Sequence, residues 1–465
     1  MDKLTKSRIE LEQFVIENGE NSLLESEVLD PSCDPENPVK VNQTHIWDAY
    51  SYIRRVRADI RQSPCDKSRL SDALGLELYF KKDFMQVTGS FKERGARYFC
   101  EKLTQAEKSL GVVTASAGNH AQALARHGKI TGTNVTVVMP VQAPLVKVNS
   151  CRQLGANVIL HGKSFGHAKS FAMHLAKNAG AVYVNGYDHP HILSGQGSMG
   201  IEILEEVPDV DYIICPIGGG GLIAGIASVV KSLRPSVKII GVESKKTPSW
   251  KTAINHGKPV ACEKTIKYAP ETIADGLSVP TVGVNAFHTA KDLIEKVIEI
   301  DETWIAVAIT RLLESEKAVV EGAGASGLAA ILSGALPELE GKKCCVVLCG
   351  GNIDISTLGR VVERGLLATG RLIKFTVTIS DRPGGLAQFI DICKNIGVSI
   401  KTMHQDTASS SSTFKTKLNV TAETRDDQQE ELLKKSLLEV YDEEEIVFVE
   451  YKDEKFHEVG FIFNK

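Results

Sequence analysis

The chain has 465 residues, 43% of them hydrophobic, which is too long for one ordinary domain and enough to bury a sizeable core. Its formal net charge is -4 and its pI about 6.3, without the basic excess that a nucleic-acid or anionic-membrane partner calls for. No run of about 18 apolar residues occurs, which excludes an ordinary membrane-spanning helix.

Residues 1–40 are polar and charged and end in PSCDPENP. They lack an apolar stretch behind a basic start, so they read as a mobile polar arm with one helix, not a signal or transit peptide. From about residue 41 short apolar, β-branched runs alternate with helix-period segments. The runs are VVTAS from Val112, NVTVVMP from Asn134, NVIL from Asn157, AVYVN from Ala181, DYIICPIGGGG from Asp211, VKIIGVES from Val237 and CCVVLCGG from Cys344. HAQALARHGKI, PLVKVNSCRQLG, SMGIEILEEV and GLIAGIASVVKSLRP lie between them. This alternation predicts an α/β unit over 41–368, with mainly parallel sheets flanked by helices and ligands at the carboxyl ends of the strands. The ten cysteines are scattered, several inside apolar runs, and read as free thiols in a reducing, cytoplasmic setting.

Near residue 370 the texture changes. RLIKFTVTIS alternates apolar and polar residues as a half-exposed antiparallel strand does. DRPGGLAQFIDICKNIG reads as turn and helix. VSIKTMHQD, STFKTKLNVTAE, DQQEELLKKSLLEVYD and IVFVEY follow as strand, strand, helix and strand. That βαββαβ order over 369–465 predicts a ferredoxin-like unit, with SSSS at 409–412 as a loop.

Four motifs lie at predicted strand ends. In TGSFKERGA, residues 88–96, Lys92 opens a helix; it is either a solvated lysine beside Glu93 and Arg94 or an amine in a pocket that lowers its pKa and lets it attack a carbonyl. In TASAGNHAQALA, residues 114–125, small residues at a helix start favour an anion such as a carboxylate, and Asn119 adds a donor; the alternative is a tight turn capped by Asn119. In PIGGGGLIAG, residues 216–225, four consecutive glycines offer backbone amides to a phosphate; this is neither a Walker loop nor a clean dinucleotide fingerprint. In LCGGN, residues 348–352, Cys349 is either a buried small hydrophobe or a side chain on a ligand-facing turn.

In this order and spacing, S-F-K-x-R-G-A, S-A-G-N-H-A-Q and the G-G-G-G-L loop resemble the threonine and serine dehydratases, fold type II pyridoxal-phosphate enzymes of the tryptophan-synthase β group. ETIADGLSV at 271–279 and EGAGA at 321–325 strengthen the resemblance, which covers about 41–365. The C-terminal unit resembles an ACT domain, a common amino-acid-sensing module. The resemblance implies pyridoxal 5'-phosphate as cofactor, a small amino acid as substrate, and β-elimination of water followed by loss of ammonia. It implies that Lys92 carries the cofactor as a Schiff base and, once freed, removes the substrate α-proton. Phe91 would lie beside the cofactor ring, Asn119 on its phenolic oxygen, and Gly218, Gly219, Gly220, Gly221 and Leu222 on its phosphate. Cys349 would face the pyridine nitrogen, and Ser116, Ala117, Asn119 and His120 would frame the substrate carboxylate. A thiol there, with an ordinary pKa of roughly 8.5, is a neutral donor that leaves the nitrogen unprotonated. That favours β-elimination over reactions that need a long-lived carbanion.

Two rivals remain. Serine racemases resemble the chain but place a serine where Ala117 stands, and their acidic metal-binding stretch has no counterpart in SKKTPSW after Glu243; no metal site is therefore expected. A non-catalytic amino-acid sensor conflicts with the intact Lys92, Asn119 and glycine loop. The ACT-like unit further implies a homo-oligomer and an amino-acid effector.

Overall fold

The computed structural model describes residues 2–19, 21–25, 28–56, 59–262, 272–407 and 413–449. In chain order the body contains β1 (Cys65–Lys67), β2 (Glu77–Lys81), β3 (Val112–Ala115), β4 (Val135–Met139), β5 (Asn157–Leu160), β6 (Val182–Tyr183), β7 (Tyr212–Pro216), β8 (Lys238–Ser244), β9 (Lys296–Ile300) and β10 (Lys343–Val347). They form two sheets. The larger runs β1-β2-β10-β7-β8-β9 and is parallel except for β1; the smaller runs β5-β4-β3-β6 and is parallel throughout. Helices cover both, so the central strands are buried on both faces: every residue of β3, β4 and β7 is buried, Thr114 and Thr136 included.

The seven expected runs all become strands, while β1, β2 and β9 are additions. β1 and β9 are edge strands with polar or half-exposed positions, which blunts the apolar signal. β2 ends in Lys81, which reads as a surface residue but is 0% exposed.

The segment expected as a mobile arm is docked. The helix Lys3–Asn18 and the turn after it bury Leu11 and Leu23 against Phe171 and Leu175 of the helix Phe165–Ala179. Ser170 Oγ donates to Leu23 O at 2.6 Å, and Asn285 holds both Ser32 O (2.6 Å) and Val39 N (2.7 Å). The apolar positions that do this are spaced among charges, so the helix looks polar in sequence.

The C-terminal unit has β11 (Leu372–Ser380), the helix Gly385–Ile396, β12 (Ser399–Asp406), β13 (Lys415–Glu423), the helix Asp427–Leu438 and β14 (Ile446–Phe448). The antiparallel order β12-β13-β11-β14 is the ferredoxin-like arrangement, with both helices on one core of Phe375, Phe389, Leu418, Leu433 and Leu437. The serine run 409–412 lies outside the described residues. Among the described residues no helix is long and apolar enough to cross a membrane.

Candidate active site

The loops at the carboxyl ends of β2, β3, β6, β7 and β10 converge between the two sheets. The β2 loop is laid on the β10 loop by backbone bonds from Phe84 N to Leu348 O (3.1 Å), Phe91 N to Cys349 O (2.9 Å) and Gly351 N to Gly89 O (2.9 Å). Gly89 has φ +78°, and a Cβ there would lie 2.4 Å from Asn352 Oδ1, so only glycine fits. Lys92 then opens the helix Lys92–Lys102.

Glu93 and Arg94 are both 0% exposed, which removes the solvated-cluster reading of Lys92 and its neighbours. The Glu93 carboxylate accepts from Thr88 N, Arg126 and His127. Arg94 bridges Asp83 Oδ1 (2.8 Å) and Glu202 Oε1 (2.7 Å), and Lys81 reaches Glu202 Oε2 (2.8 Å). Buried charges need such partners, so the helix that starts at Lys92 is fixed from behind.

The Lys92 amine donates to Gly186 O at 2.5 Å and lies 5.1 Å from the centre of the Phe91 ring. Burial lowers its pKa from 10.5 to about 8, opposed in part by Cys349 and Glu321. A fraction of the amine is therefore free base near neutrality. Behind Gly186 stands His120; a Cβ on Gly186 would be 2.4 Å from its Cγ. Burial, with Lys92 and His189 nearby, pushes the His120 pKa down to about 3, so the ring is neutral. Neither ring nitrogen has a hydrogen-bond partner among the described residues.

Asn119 and His120 begin the helix Asn119–Thr131, directly after Ser116, Ala117 and Gly118. Ser116 Oγ accepts from Gly118 N at 3.2 Å, and no side chain caps the helix start. The capping alternative for Asn119 fails: its amide points instead to Glu321 and Asn352.

After β7, Gly218, Gly219 and Gly220 lead into the helix Gly221–Leu233. Each glycine is fixed by close backbone or ring contacts. A Cβ on Gly219 would meet the Tyr187 ring at 2.3 Å, and one on Gly221 the Tyr187 carbonyl oxygen at 2.3 Å. Leu222 is 5% exposed with its side chain in the core, so its backbone is what it offers at the loop.

Cys349 follows β10 and is 3% exposed. Burial, with Glu321 and Cys215 adding to it, raises its pKa well above the ordinary thiol value, so it is a neutral S–H. The chain thus brings Lys92, Phe91, Cys349, Asn119 and His120 into one site, and Tyr187, beside Gly186, joins it to the glycine loop.

Sequence reasoning did not single out Gly186 or Tyr187, nor the roles of Asn352 and Glu321. Gly186 and Tyr187 act through a carbonyl and a ring face, which leave no motif. Glu321 did carry a signal: a lone carboxylate before a run of glycines and alanines.

Residues 56–350 match the family model "Pyridoxal-phosphate dependent enzyme". An L-threonine ammonia-lyase of Geobacter sulfurreducens is 42% identical over 373 residues, 80% of this chain and 91% of that protein. The processed form of threonine deaminase isoform 2 from Solanum lycopersicum superimposes with a TM-score of 0.65 at 31% identity, covering 73% of this chain and 93% of that one. Maize serine racemase does so with a TM-score of 0.65 at 32% identity, covering 70% and 98%. The match over residues 56–350, more than half of the chain, together with 42% identity to a relative across 80% of it, makes this protein a member of the pyridoxal-phosphate dependent enzyme family.

Proposed function

We propose that the chain is a threonine and/or serine ammonia-lyase, converting L-threonine to 2-oxobutyrate or L-serine to pyruvate, with release of ammonia, by β-elimination. The observation that carries it is the Lys92 amine, its pKa lowered to about 8, enclosed with a neutral Cys349 and bonded to Gly186 O beside Tyr187, which packs on the glycine loop. Relatives named for this activity support the substrate class.

The residues present fit pyridoxal phosphate. Thr88 Oγ1, Ser90 Oγ and both His120 ring nitrogens are buried polar atoms in the loops around Lys92 with no hydrogen-bond partner among the described residues, as expected where a polar ligand completes the site. Gly218, Gly219, Gly220 and Gly221 carry no side chains, so the loop itself presents only backbone. Gly218, Gly219, Gly220, Gly221 and Leu222 would hold the phosphate through their amides, aided by the start of the helix Gly221–Leu233. Asn119 would donate to the phenolic oxygen, Phe91 would flank the ring and Cys349 would face the ring nitrogen.

When bound, the cofactor supplies an electron sink that makes the substrate α-proton removable. The Lys92 Nζ lone pair takes that proton; being largely desolvated, it is free base at a pH where an ordinary lysine is not. The substrate carboxylate lies at the helix start made by Ser116, Ala117, Asn119 and His120, where backbone amides are uncapped. Neutral His120 adds a ring nitrogen without adding charge. Cys349 keeps its proton, so the elimination of a hydroxyl is favoured over exchange of the amino group.

Racemisation is the second reading, supported by the likeness to maize serine racemase. Ala117 weighs against it, because alanine has no proton to return on the opposite face. Glu243 is occupied as well, accepting from Trp250 N (2.9 Å) and Lys251 N (3.2 Å).

We place the catalytic unit at 41–368 and a regulatory unit at 369–465. The turn DRPGGL opens the helix Gly385–Ile396 and would take an amino-acid effector, with pairing of such units giving a homo-oligomer. Ten free cysteines support a reducing, cytoplasmic location. The deciding experiment is steady-state 2-oxo acid formation from L-threonine and L-serine with added pyridoxal phosphate. Production of D-serine from L-serine without 2-oxo acid would favour the racemase reading.

A further inference from the structure

Glu321 has no part in the mechanism above, yet its carboxylate is 4% exposed and sits in a closed ring of hydrogen bonds beside Lys92. Oε1 accepts from Asn119 Nδ2 at 2.8 Å and Oε2 from the backbone N–H of Asn352 at 3.2 Å. Asn352 Nδ2 donates in turn to Asn119 Oδ1 (2.8 Å) and to Thr88 O (2.7 Å). Glu321 N donates to Gly350 O at 3.0 Å, which closes the ring on the β10 loop.

This ring decides which way round the Asn119 amide sits. Turned over, its oxygen would face a carboxylate and its NH2 would face the NH2 of Asn352, two repulsive pairs in place of two bonds. The bond to the carboxylate is the charge-assisted one and so the stronger. It engages one N–H of Asn119 and leaves the second for a ligand.

We propose that Glu321 is a positioning residue for cofactor binding, fixing the Asn119 amide so that its second N–H is held for the phenolic oxygen of pyridoxal phosphate. This rests on the reading that Asn119 contacts that oxygen. Both Glu321 oxygens accept hydrogen bonds, so the ring needs the charged form. The groups acting on Glu321 are Asp275, which opposes ionisation, and Lys147, which favours it; Lys92 and Cys349 share the enclosure. Burial raises the Glu321 pKa to about 7, so the ring is intact at pH 8.

The test is a double-mutant cycle on cofactor affinity. Full-length apoprotein is titrated with pyridoxal phosphate at pH 8 by equilibrium dialysis, for the unsubstituted chain, Glu321→Gln, Asn119→Ala and the double variant. Each protein's fold is checked by thermal melting. Asn119→Ala is expected to weaken binding about tenfold or more, Glu321→Gln by a similar factor, and the double variant no more than Asn119→Ala alone. Unchanged affinity in Glu321→Gln, or losses that multiply in the double variant, overturns the proposal. If Asn119→Ala itself binds like the unsubstituted chain, the assignment of Asn119 falls and the proposal with it, an outcome told apart by that single curve. Should Glu321→Gln not fold, Glu321→Asp carries the same cycle with the same criteria, since its shorter arm draws the carboxylate back from Asn119.

Discussion

Lys147 Nζ lies 2.8 Å from Asp275 Oδ2, joining the helix Leu145–Gln153, which follows β4, to the turn packed between the glycine loop and the helix of Glu321. The two side chains are 28% and 58% exposed, so the pair adds only about 0–1 kcal/mol of stability. Its reach is electrostatic, because both charges act on Glu321 in opposite senses.

If the charged form of Glu321 is needed, activity falls on the acid side of about pH 7. Asp275→Asn removes a charge that raises the Glu321 pKa, so the acid limb moves to lower pH. Lys147→Met removes a charge that lowers it, so the limb moves to higher pH. Profiles of kcat/KM against pH for the two variants check this; shifts in the same direction, or none, refute it.

Replacing Lys92 separates catalysis from stability. Its pKa is depressed, so the folded apoprotein binds that proton less tightly than the unfolded chain. The resulting penalty is fully present below about pH 8 and vanishes as pH rises past the ordinary lysine value of 10.5. It amounts to about 3 kcal/mol at most, less about 1 kcal/mol for the bond to Gly186 O. Lys92→Met should abolish 2-oxo acid formation while raising the apoprotein Tm by a few degrees at pH 7, with the gain shrinking above pH 10. Calorimetry across that pH range measures it.

Cys349 tests the electronic argument. Serine is also a small neutral donor, so Cys349→Ser should keep 2-oxo acid turnover within about threefold. Cys349→Asp puts an acid at the same place and should lower turnover about tenfold or more and raise amino-group exchange. An aspartate variant with undiminished elimination and no new products would show the thiol to be merely tolerated.

Control by the C-terminal unit has its own contact to break. Arg371 Nη1 bonds Glu314 Oε1 at 2.5 Å, and Lys374 reaches Glu363 at 2.7 Å, linking the start of β11 to the body. If an amino acid acts through this unit, Arg371→Ala should leave the basal rate within about twofold and cut the response to branched amino acids, where an ordinary coupling is about 1–3 kcal/mol. Rates at fixed L-threonine with and without L-isoleucine or L-valine decide it.

The parallel core was legible because strands covered on both faces are mostly apolar and β-branched, as VVTA and YIICP are. β9 was not, since its edge position admits the lysine and glutamate of KVIEI. In the site, the glycines and Lys92 announce themselves because a close backbone approach and a helix-opening lysine require particular residue types. Glu321 and Asn352 escaped a role because theirs arises from contacts 202 and 233 residues away in sequence, both on Asn119, which no local pattern records. The arm of residues 1–40 misled for a related reason: Leu11 and Leu23 find partners far away in sequence, among them Phe171 and Leu175 of the helix Phe165–Ala179.

The charge cluster of Arg94, Asp83, Glu202 and Lys81 never meets a substrate, yet it shapes how variation in this protein is to be interpreted. Removing one member strands its partners without water, a loss of about 3–5 kcal/mol, comparable with the whole folding stability of many proteins. A cell carrying Glu202→Ala would lack the activity because it lacks the protein, its chains cleared by proteases before they reach a cofactor. Activity measured in extracts, without the amount of enzyme beside it, would mark Glu202 as a reacting group, when what it supplies is survival of the fold.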